Sequence, residues 1–377
     1  MTVPETAAEA RAERDVPSLP KRAGVVGASG ILGGELLRIL LRHPRVALEY
    51  VSAQTKAGRA ATELNPHLKD AGIGDYEAFD ARVAAKRCDV VFLATPPESA
   101  GRAVPELLEA GAELVIDLSP AYRIRDPELH RQWYPEVERD QEVADRAAYG
   151  LPELGREAIA GARVIASPGC FATAILLAAL PLRELEGVAF DSIAIDGKSG
   201  STGSGARLRE SGAHTWRSNV VAPYAPRGHR HVAEVAQALA DHGVGPRGDG
   251  RPPRLGMSTY GVDLVRGLSV GLYSFFEGEL DERVLRRAYH RTYRGERFVR
   301  VQAGRGSALP LPDPKAVIGS NYCDVAPFVD EAASRFVLIA AIDNMVKGGA
   351  GQAVQACNLR LGLPEEMGLE AIPVFPV

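Results

Sequence analysis

Cysteine is scarce in this chain: four in 377 residues, at positions 88, 170, 323 and 357. They lie far apart with no CxxC pair, which excludes a disulfide framework and a metal site of the zinc-finger kind as organising devices. A cysteine that matters here matters as a thiol. Long apolar runs are missing too. None reaches the ~18 residues of a membrane span, and the opening MTVPETAAEARAERDVPSLP mixes acids, arginines and prolines without the apolar core of a secretion signal. A cytoplasmic protein without membrane contact is expected. Neither sign of charge dominates, and a net charge of -4 leaves no footprint for nucleic acid. The arginine-rich stretch 247–254 is broken by Gly and Pro and reads as a solvated loop.

What is present is the balance of a globular chain, with 46% apolar and 24% charged residues. The length exceeds the ~250 to 300 residues at which single cores stop growing, so two lobes are expected. Residues 1–21 carry much charge and Pro and read as a flexible extension. From residue 23 an apolar strand, a Gly-rich turn and a helix with apolar residues at helical spacing follow one another. Further strands at 47–53, 89–94 and 113–117 alternate with a helix at 98–110, the pattern of a doubly wound parallel sheet.

After Pro152 the texture changes. The segment ATAILLAALPL reads as a helix apolar nearly all round, hence buried. Strands at 190–196, 256–265, 268–276 and 336–342 and helices at 231–240 and 282–293 do not alternate strictly, so the second lobe is α+β. The expected division is a dinucleotide-binding domain over 22–169, a catalytic and dimerisation domain over 170–342, and a closing segment, 343–377. Its helix, at 349–361, returns to the first domain.

The first turn is Gly27-Ala28-Ser29-Gly30-Ile31-Leu32-Gly33, spaced GxxGxxG. Placed after a strand and before a helix, it suits a pyrophosphate: the glycines admit close backbone approach and the helix N-terminus attracts the anion. Gly27, Ser29, Gly30, Ile31 and Gly33 are the expected contacts. NAD enzymes usually put an acid at the end of the second strand. Here that end reads Val51-Ser52-Ala53-Gln54-Thr55-Lys56, and Ser52, Thr55 and Lys56 suit a 2′-phosphate, so NADP is expected.

Cys170, in Ser167-Pro168-Gly169-Cys170-Phe171, begins the buried helix. A helix N-terminus stabilises a thiolate, and the Pro-Gly entry can hold the sulfur at a cleft surface. The other three cysteines have no such setting and read as structural. A catalytic thiol needs a proton partner, and His229-Arg230-His231-Val232-Ala233-Glu234 opens a helix on which His231 and Glu234 share a face. Glu234 is expected to orient His231, which makes His231 the preferred acid/base over His229.

These motifs together resemble N-acetyl-γ-glutamyl-phosphate reductase, a relative of aspartate-semialdehyde dehydrogenase. The similarity rests on GASGILGGELLRIL, Asp117-Leu118-Ser119 with Arg123, Tyr149-Gly150-Leu151-Pro152-Glu153, SPGCFATA, HRHVAEV, GSNYCDV and DNMVKGGAGQAVQACN. It implies that Cys170 is the nucleophile, that His229 to His231 supply the acid/base, and that Ser119, Arg123 and Arg266 meet the substrate or leaving phosphate. It also implies that Asn344 and Lys347 sit near the nicotinamide and that the protein is a homo-oligomer. The implied reaction turns a small acyl phosphate into an aldehyde through a thioester.

Two features depart from the arginine enzymes. Phe171-Ala172-Thr173 replaces their aromatic-Pro-Thr, and the loop Lys198-Ser199-Gly200-Ser201-Thr202-Gly203-Ser204-Gly205, whose Ser199 is placed with the substrate, looks nearer a sister group. That group reduces phosphorylated aminoadipate on a small acidic carrier protein, for which Arg207, Arg209, Arg217, Arg227 and Arg230 could form a basic mouth. N-acetylglutamyl phosphate is the leading expectation and the carrier-bound substrate the alternative. A non-catalytic nucleotide sensor, which needs neither thiol nor His/Glu pair, is the reading from another class.

Overall fold

The computed structural model describes residues 19–205, 210–245, 253–302 and 311–376. The first sheet has six parallel strands: β1 (Lys21–Val26), β2 (Val46–Ser52), β3 (Val90–Leu93), β4 (Val115–Asp117), β5 (Ala148–Tyr149) and β6 (Val164–Ala166). Their order is β2-β1-β3-β4-β6-β5, with every pair parallel. The helices α1 (Ile31–Leu40) and α2 (Pro97–Glu109) supply crossovers. The strands are short and buried because helices cover them, as parallel sheets require. This is the doubly wound lobe expected from the alternation of strand and helix.

The second sheet is mixed. Its strands are β7 (Ser192–Ser199), β8 (Val221–Ala225), β9 (Arg254–Val262), β10 (Leu268–Phe275), β11 (Val299–Val301), β12 (Cys323–Asp330) and β13 (Arg335–Ile342), in the order β11-β12-β13-β10-β7-β9-β8. Against it lies α3 (Cys170–Ala179), with Phe171 through Ala179 all buried. Two further helices, α4 (His231–Asp241) and α5 (Glu282–Thr292), complete this lobe.

β5, β6, β8, β11 and β12 fall outside the strands read from sequence. β12 carries Pro327, normally a sign against a strand. Here β11 pairs β12 only as far as Val325, so beyond it one edge of β12 has no described neighbour to lose a hydrogen bond to proline.

The chain then turns through one π-helical turn, Val346–Ala350, into α6 (Gly351–Arg360). Ala353, Val354, Ala356 and Cys357 share a core with Ala23, Leu36 and Phe92 of the first lobe. The return is fastened by a buried ion pair. Lys347 Nζ, wholly out of solvent, lies 2.6 Å from Glu153 Oε1 and 2.8 Å from Gln355 Oε1. Burial pushes the Glu153 carboxyl up, but Lys347 outweighs it and holds the group below its ordinary range. Among the described residues no helix is long and apolar enough to cross a membrane.

Removing one member of such a pair strands the other charge in the core. Lys347→Met is expected to cost about 3 to 5 kcal/mol, and Lys347→Met with Glu153→Gln together much less than the sum of the singles. The carboxyl is depressed in the folded state, so its contribution is present above the unfolded value of about 4.3 and lost as pH falls below it. Urea unfolding of the four proteins at pH 7 and near pH 4 measures both effects. Equal stability of wild type and Lys347→Met at pH 7 refutes the assignment.

Candidate active site

The Gly-rich turn separates what the fold needs from what a ligand needs. Gly27 has φ +82, and a Cβ there would lie 2.5 Å from the Ala94 carbonyl oxygen; one on Gly33 would lie 2.5 Å from the Gly27 oxygen. Both positions are glycine for packing reasons. Gly30 is not: its φ is -78, and an added Cβ would meet nothing nearer than 3.5 Å. Its missing side chain leaves room in front of α1, where Ser29 is half-buried and Ile31 is exposed. The first N–H groups of a helix have no intrahelical acceptor, and its dipole favours an anion there. The turn therefore fits a dinucleotide pyrophosphate.

At the end of β2 the expectation needs one correction. Ser52 is entirely buried, and its carbonyl accepts the N–H groups of Gly27 and Ala28, each at 3.0 Å. It builds the turn and does not present its hydroxyl to a ribose. Thr55 and Lys56 lie on the short turn Gln54–Lys56, Thr55 exposed and Lys56 half-buried. Arg59 is paired with Glu63 at 2.6 Å, whereas no ion pair engages Lys56 among the described residues. Lys56 is the cation left for a 2′-phosphate.

Cys170 is the first residue of α3, entered through Gly169 in extended conformation. Two glycines make this corner possible. A Cβ on Gly169 would collide with the His231 ring and approach Arg123 Nη1 to 2.9 Å, and one on Gly348 would lie 2.7 Å from Cys170 Cβ. The imidazole, the guanidinium and the π-helical turn thus converge on the nucleophile. Burial pushes the Cys170 thiol up to about 11, although the Phe171 N–H and Arg123 favour the thiolate; Glu234 opposes it. The helix start alone does not produce a standing thiolate, contrary to the sequence-based expectation.

Glu234 also differs from its expected role. It does not bond His231. Its Oε1 accepts the Gly169 N–H at 2.8 Å and the Tyr149 hydroxyl at 2.7 Å, and its Oε2 lies 3.6 Å from Arg123 Nη1. The i,i+3 spacing placed the two side chains on one face, but the carboxylate turns to the Gly169 N–H and the Tyr149 hydroxyl of two other segments. His231 is buried, with Nδ1 unpartnered, and desolvation together with His229, Arg123 and Arg230 holds it neutral. His229 stacks edge-on against it at 4.6 Å, and burial and Arg230 lower it to about 4. Both rings are therefore neutral, and their surroundings resist the cationic form.

Arg123 is held by the carbonyls of Ser167 and Leu118, each at 2.7 Å, which aims its Nη1 at the nucleophile corner. Ser119 does not face open space. Its hydroxyl donates to Asp117 at 2.8 Å and accepts from the Ala121 N–H. Burial pushes Asp117 up to about 7.

The nicotinamide-side expectations are partly redirected. Asn344 accepts from Gly267 N–H at 2.8 Å and donates to Thr202 at 3.0 Å, pinning the 200–205 loop to the 264–267 loop. Ser199, buried, ends β7 at the root of that loop. Arg266 pairs with Glu35 of α1 and with Asp343, each at 2.9 Å, so its guanidinium ties the lobes together instead of standing free for substrate. Lys347 is spent on Glu153 and is no nicotinamide contact. Of the expected basic mouth, Arg207 and Arg209 lie outside the described residues, while Arg227 and Arg230 are exposed near the histidines. Tyr149, Glu153 and Glu35 lie in motifs quoted for the family resemblance but were given no role, because nothing in local spacing announces partners 85, 194 and 231 residues away.

A nucleotide turn in one lobe and a thiol with two neutral imidazoles in the other fit a dinucleotide-dependent oxidoreductase. Residues 22–162 match the semialdehyde dehydrogenase NAD-binding domain, and residues 170–344 match the semialdehyde dehydrogenase dimerisation domain. The chain belongs to the semialdehyde dehydrogenase family. It is similar to the LysW-L-2-aminoadipate/LysW-L-glutamate phosphate reductase of Saccharolobus solfataricus, with 37% identity over 359 residues covering 94% of this chain and 98% of that one. The protein of the same name from Sulfurisphaera tokodaii is 36% identical over 355 residues, 94% and 99% of the two chains. Among solved structures, aspartate semialdehyde dehydrogenase II of Vibrio cholerae superposes with a TM-score of 0.67 at 16% identity, covering 91% and 98%. The Candida albicans enzyme crystallised with NADP superposes at 0.66 and 16%, covering 90% and 98%. These last two show the shared fold.

Two outcomes follow from the geometry. Without ligands, Cys170 is expected to react with iodoacetamide slowly at pH 7 and faster as pH rises towards about 11; a midpoint below 8, read by mass spectrometry of the labelled peptide, contradicts a protonated thiol. Lys56→Ala is expected to raise the Kd for NADPH by about tenfold while leaving that for NADH within twofold, since one phosphate contact is lost. Fluorescence titration with each nucleotide decides it, and an equal change for both rules out a 2′-phosphate role.

Proposed function

We propose that this protein uses NADPH to reduce an aminoadipyl or glutamyl phosphate, borne on a small acidic carrier protein, to the corresponding semialdehyde with release of phosphate. The observation that carries this reading is the full-length similarity to reductases named for that substrate. It favours this substrate over the arginine route, which was the leading expectation from sequence. The Phe171-Ala172-Thr173 departure points the same way, and the exposed Arg227 and Arg230 suit an acidic partner.

The chain's own residues divide the chemistry. Cys170 must lose its proton as it attacks, and a neutral His231 beside the Gly169 corner is the base that takes it. Sulfur bonds to the acyl carbon, the carbon–oxygen bond to phosphate breaks, and phosphate departs with that electron pair. Arg123 Nη1, unpaired within hydrogen-bond distance and aimed at the corner, steadies the leaving charge. The thioester left on Cys170 is a better acceptor than a carboxylate. When bound, the dinucleotide supplies the hydride. N–H groups at the start of α3 face the carbonyl oxygen as it gains charge, and the protonated His231 returns its proton as the sulfur is freed.

Phosphate-dependent NADP reduction, run with the semialdehyde on its carrier and with free N-acetylglutamate semialdehyde, tests the substrate. The expected kcat/KM favours the carrier-bound aldehyde by at least about 100-fold; equal or reversed preference returns the assignment to the arginine route. Cys170→Ser should lose turnover by about 10³-fold or more while binding NADPH normally.

A further inference from the structure

We infer that Tyr149 is a positioning residue of this site, acting on Cys170 through the carboxylate of Glu234. Tyr149 is the second residue of the two-residue strand β5, far from α3 in sequence, and no element of the thiol motif predicts it. Its hydroxyl donates to the same Glu234 oxygen that accepts the Gly169 N–H, at 2.7 and 2.8 Å. The phenol therefore shares one acceptor with the peptide immediately before the nucleophile.

The phenol is itself held firmly. Gly150 N–H bonds the Ala166 carbonyl at 2.8 Å, the Gln352 side chain of α6 donates to the Gly150 carbonyl at 2.9 Å, and a Cβ on Gly150 would lie 2.8 Å from Ile165. Tyr149 thus reaches Glu234 from a backbone braced by β6 on one side and by the returning C-terminal helix on the other. Around Glu234 the facing groups are Tyr149, Tyr134, Arg123 and the Gly169 N–H; around Cys170 the charged and titratable ones are Arg123, Glu234, Arg230, Tyr224 and the neutral His231 with His229 stacked against it. Within this set Glu234 alone is a carboxylate, so it is the group that opposes a thiolate. A hydrogen bond from the phenol draws its negative charge away from the sulfur.

The role rests on Cys170 being the nucleophile, as in the function proposed above, but its test needs no substrate. The pH dependence of Cys170 alkylation by iodoacetamide is measured in wild type, Tyr149→Phe and Glu234→Gln, with Cys170→Ser as the blank. Tyr149→Phe leaves the full carboxylate charge on Glu234, so the midpoint should rise and labelling at pH 8 should slow by about three- to tenfold, half to one pH unit. Glu234→Gln keeps an acceptor for the Gly169 N–H and removes the charge, so its midpoint should fall. Opposite shifts support the assignment, because mere loosening of the corner would move both variants the same way. Shifts of one sign, or a Tyr149→Phe profile that overlays wild type, overturn it. If carrier-bound acyl phosphate proves not to be a substrate while the opposite shifts appear, the substrate assignment fails and the role of Tyr149 stands.

Discussion

One buried carboxylate holds this active site together. Glu234 accepts a peptide N–H from the nucleophile corner and a phenol from the last strand of the first sheet, and it lies beside a guanidinium from the loop after β4. Those three groups come from three chain segments, which the carboxylate joins at one point. A carboxylate taken out of water must be compensated by donors or a counter-charge, and here each compensating group is also a part of the site. The cost of burying Glu234 thus enforces the geometry: a chain in which Cys170, Arg123 and Tyr149 are misplaced is a chain with an uncompensated charge in its core.

The same logic joins the lobes. Lys347 pairs with Glu153, Arg266 with Glu35 and Asp343, and Arg156 with Glu296 and Glu365. All but the Arg266–Asp343 pair link segments more than a hundred residues apart. Apolar packing of α6 beside β1 supplies the burial, but apolar contacts tolerate sliding; paired charges with fixed partners do not. The π-helical turn at Val346–Ala350 lies between these two constraints and packs Gly348 against Cys170. Extra residues in a helical turn serve here to bring a backbone without a side chain up to the nucleophile.

This explains what could be read from sequence and what could not. The doubly wound lobe, the glycine turn, the buried helix behind Cys170 and the presence of His229, His231 and Glu234 at the site are all written in local spacing. Glu234 was rightly marked but wrongly partnered, because i,i+3 spacing says which face a side chain occupies and not which of several donors wins it. Arg266, Lys347 and Ser52 were marked through resemblance or position in a motif; burial then committed them to Glu35, Glu153 and the turn backbone. β12 was hidden by Pro327, tolerated only because of what β11 leaves unpaired. Tyr149 was quoted within a family motif but given no role, since its role depends on a partner 85 residues on.

The distinction carries over to chemistry. The groups that decide the reaction class are buried and mutually compensating, so a change in any one leaves an unpaired charge or donor, and the set is legible as a unit. Under the proposed function, the groups that would meet the carrier are of another kind: the exposed Arg227 and Arg230, and the loops 200–205 and 264–267, whose backbone is pinned by Asn344. A scaffold arranged in this way can exchange a free acyl phosphate for one borne on a carrier without disturbing Cys170, His231 or Arg123. For that reason the proposed thiol chemistry is argued from this chain's own atoms, whereas the proposed acyl group rests on full-length similarity to relatives.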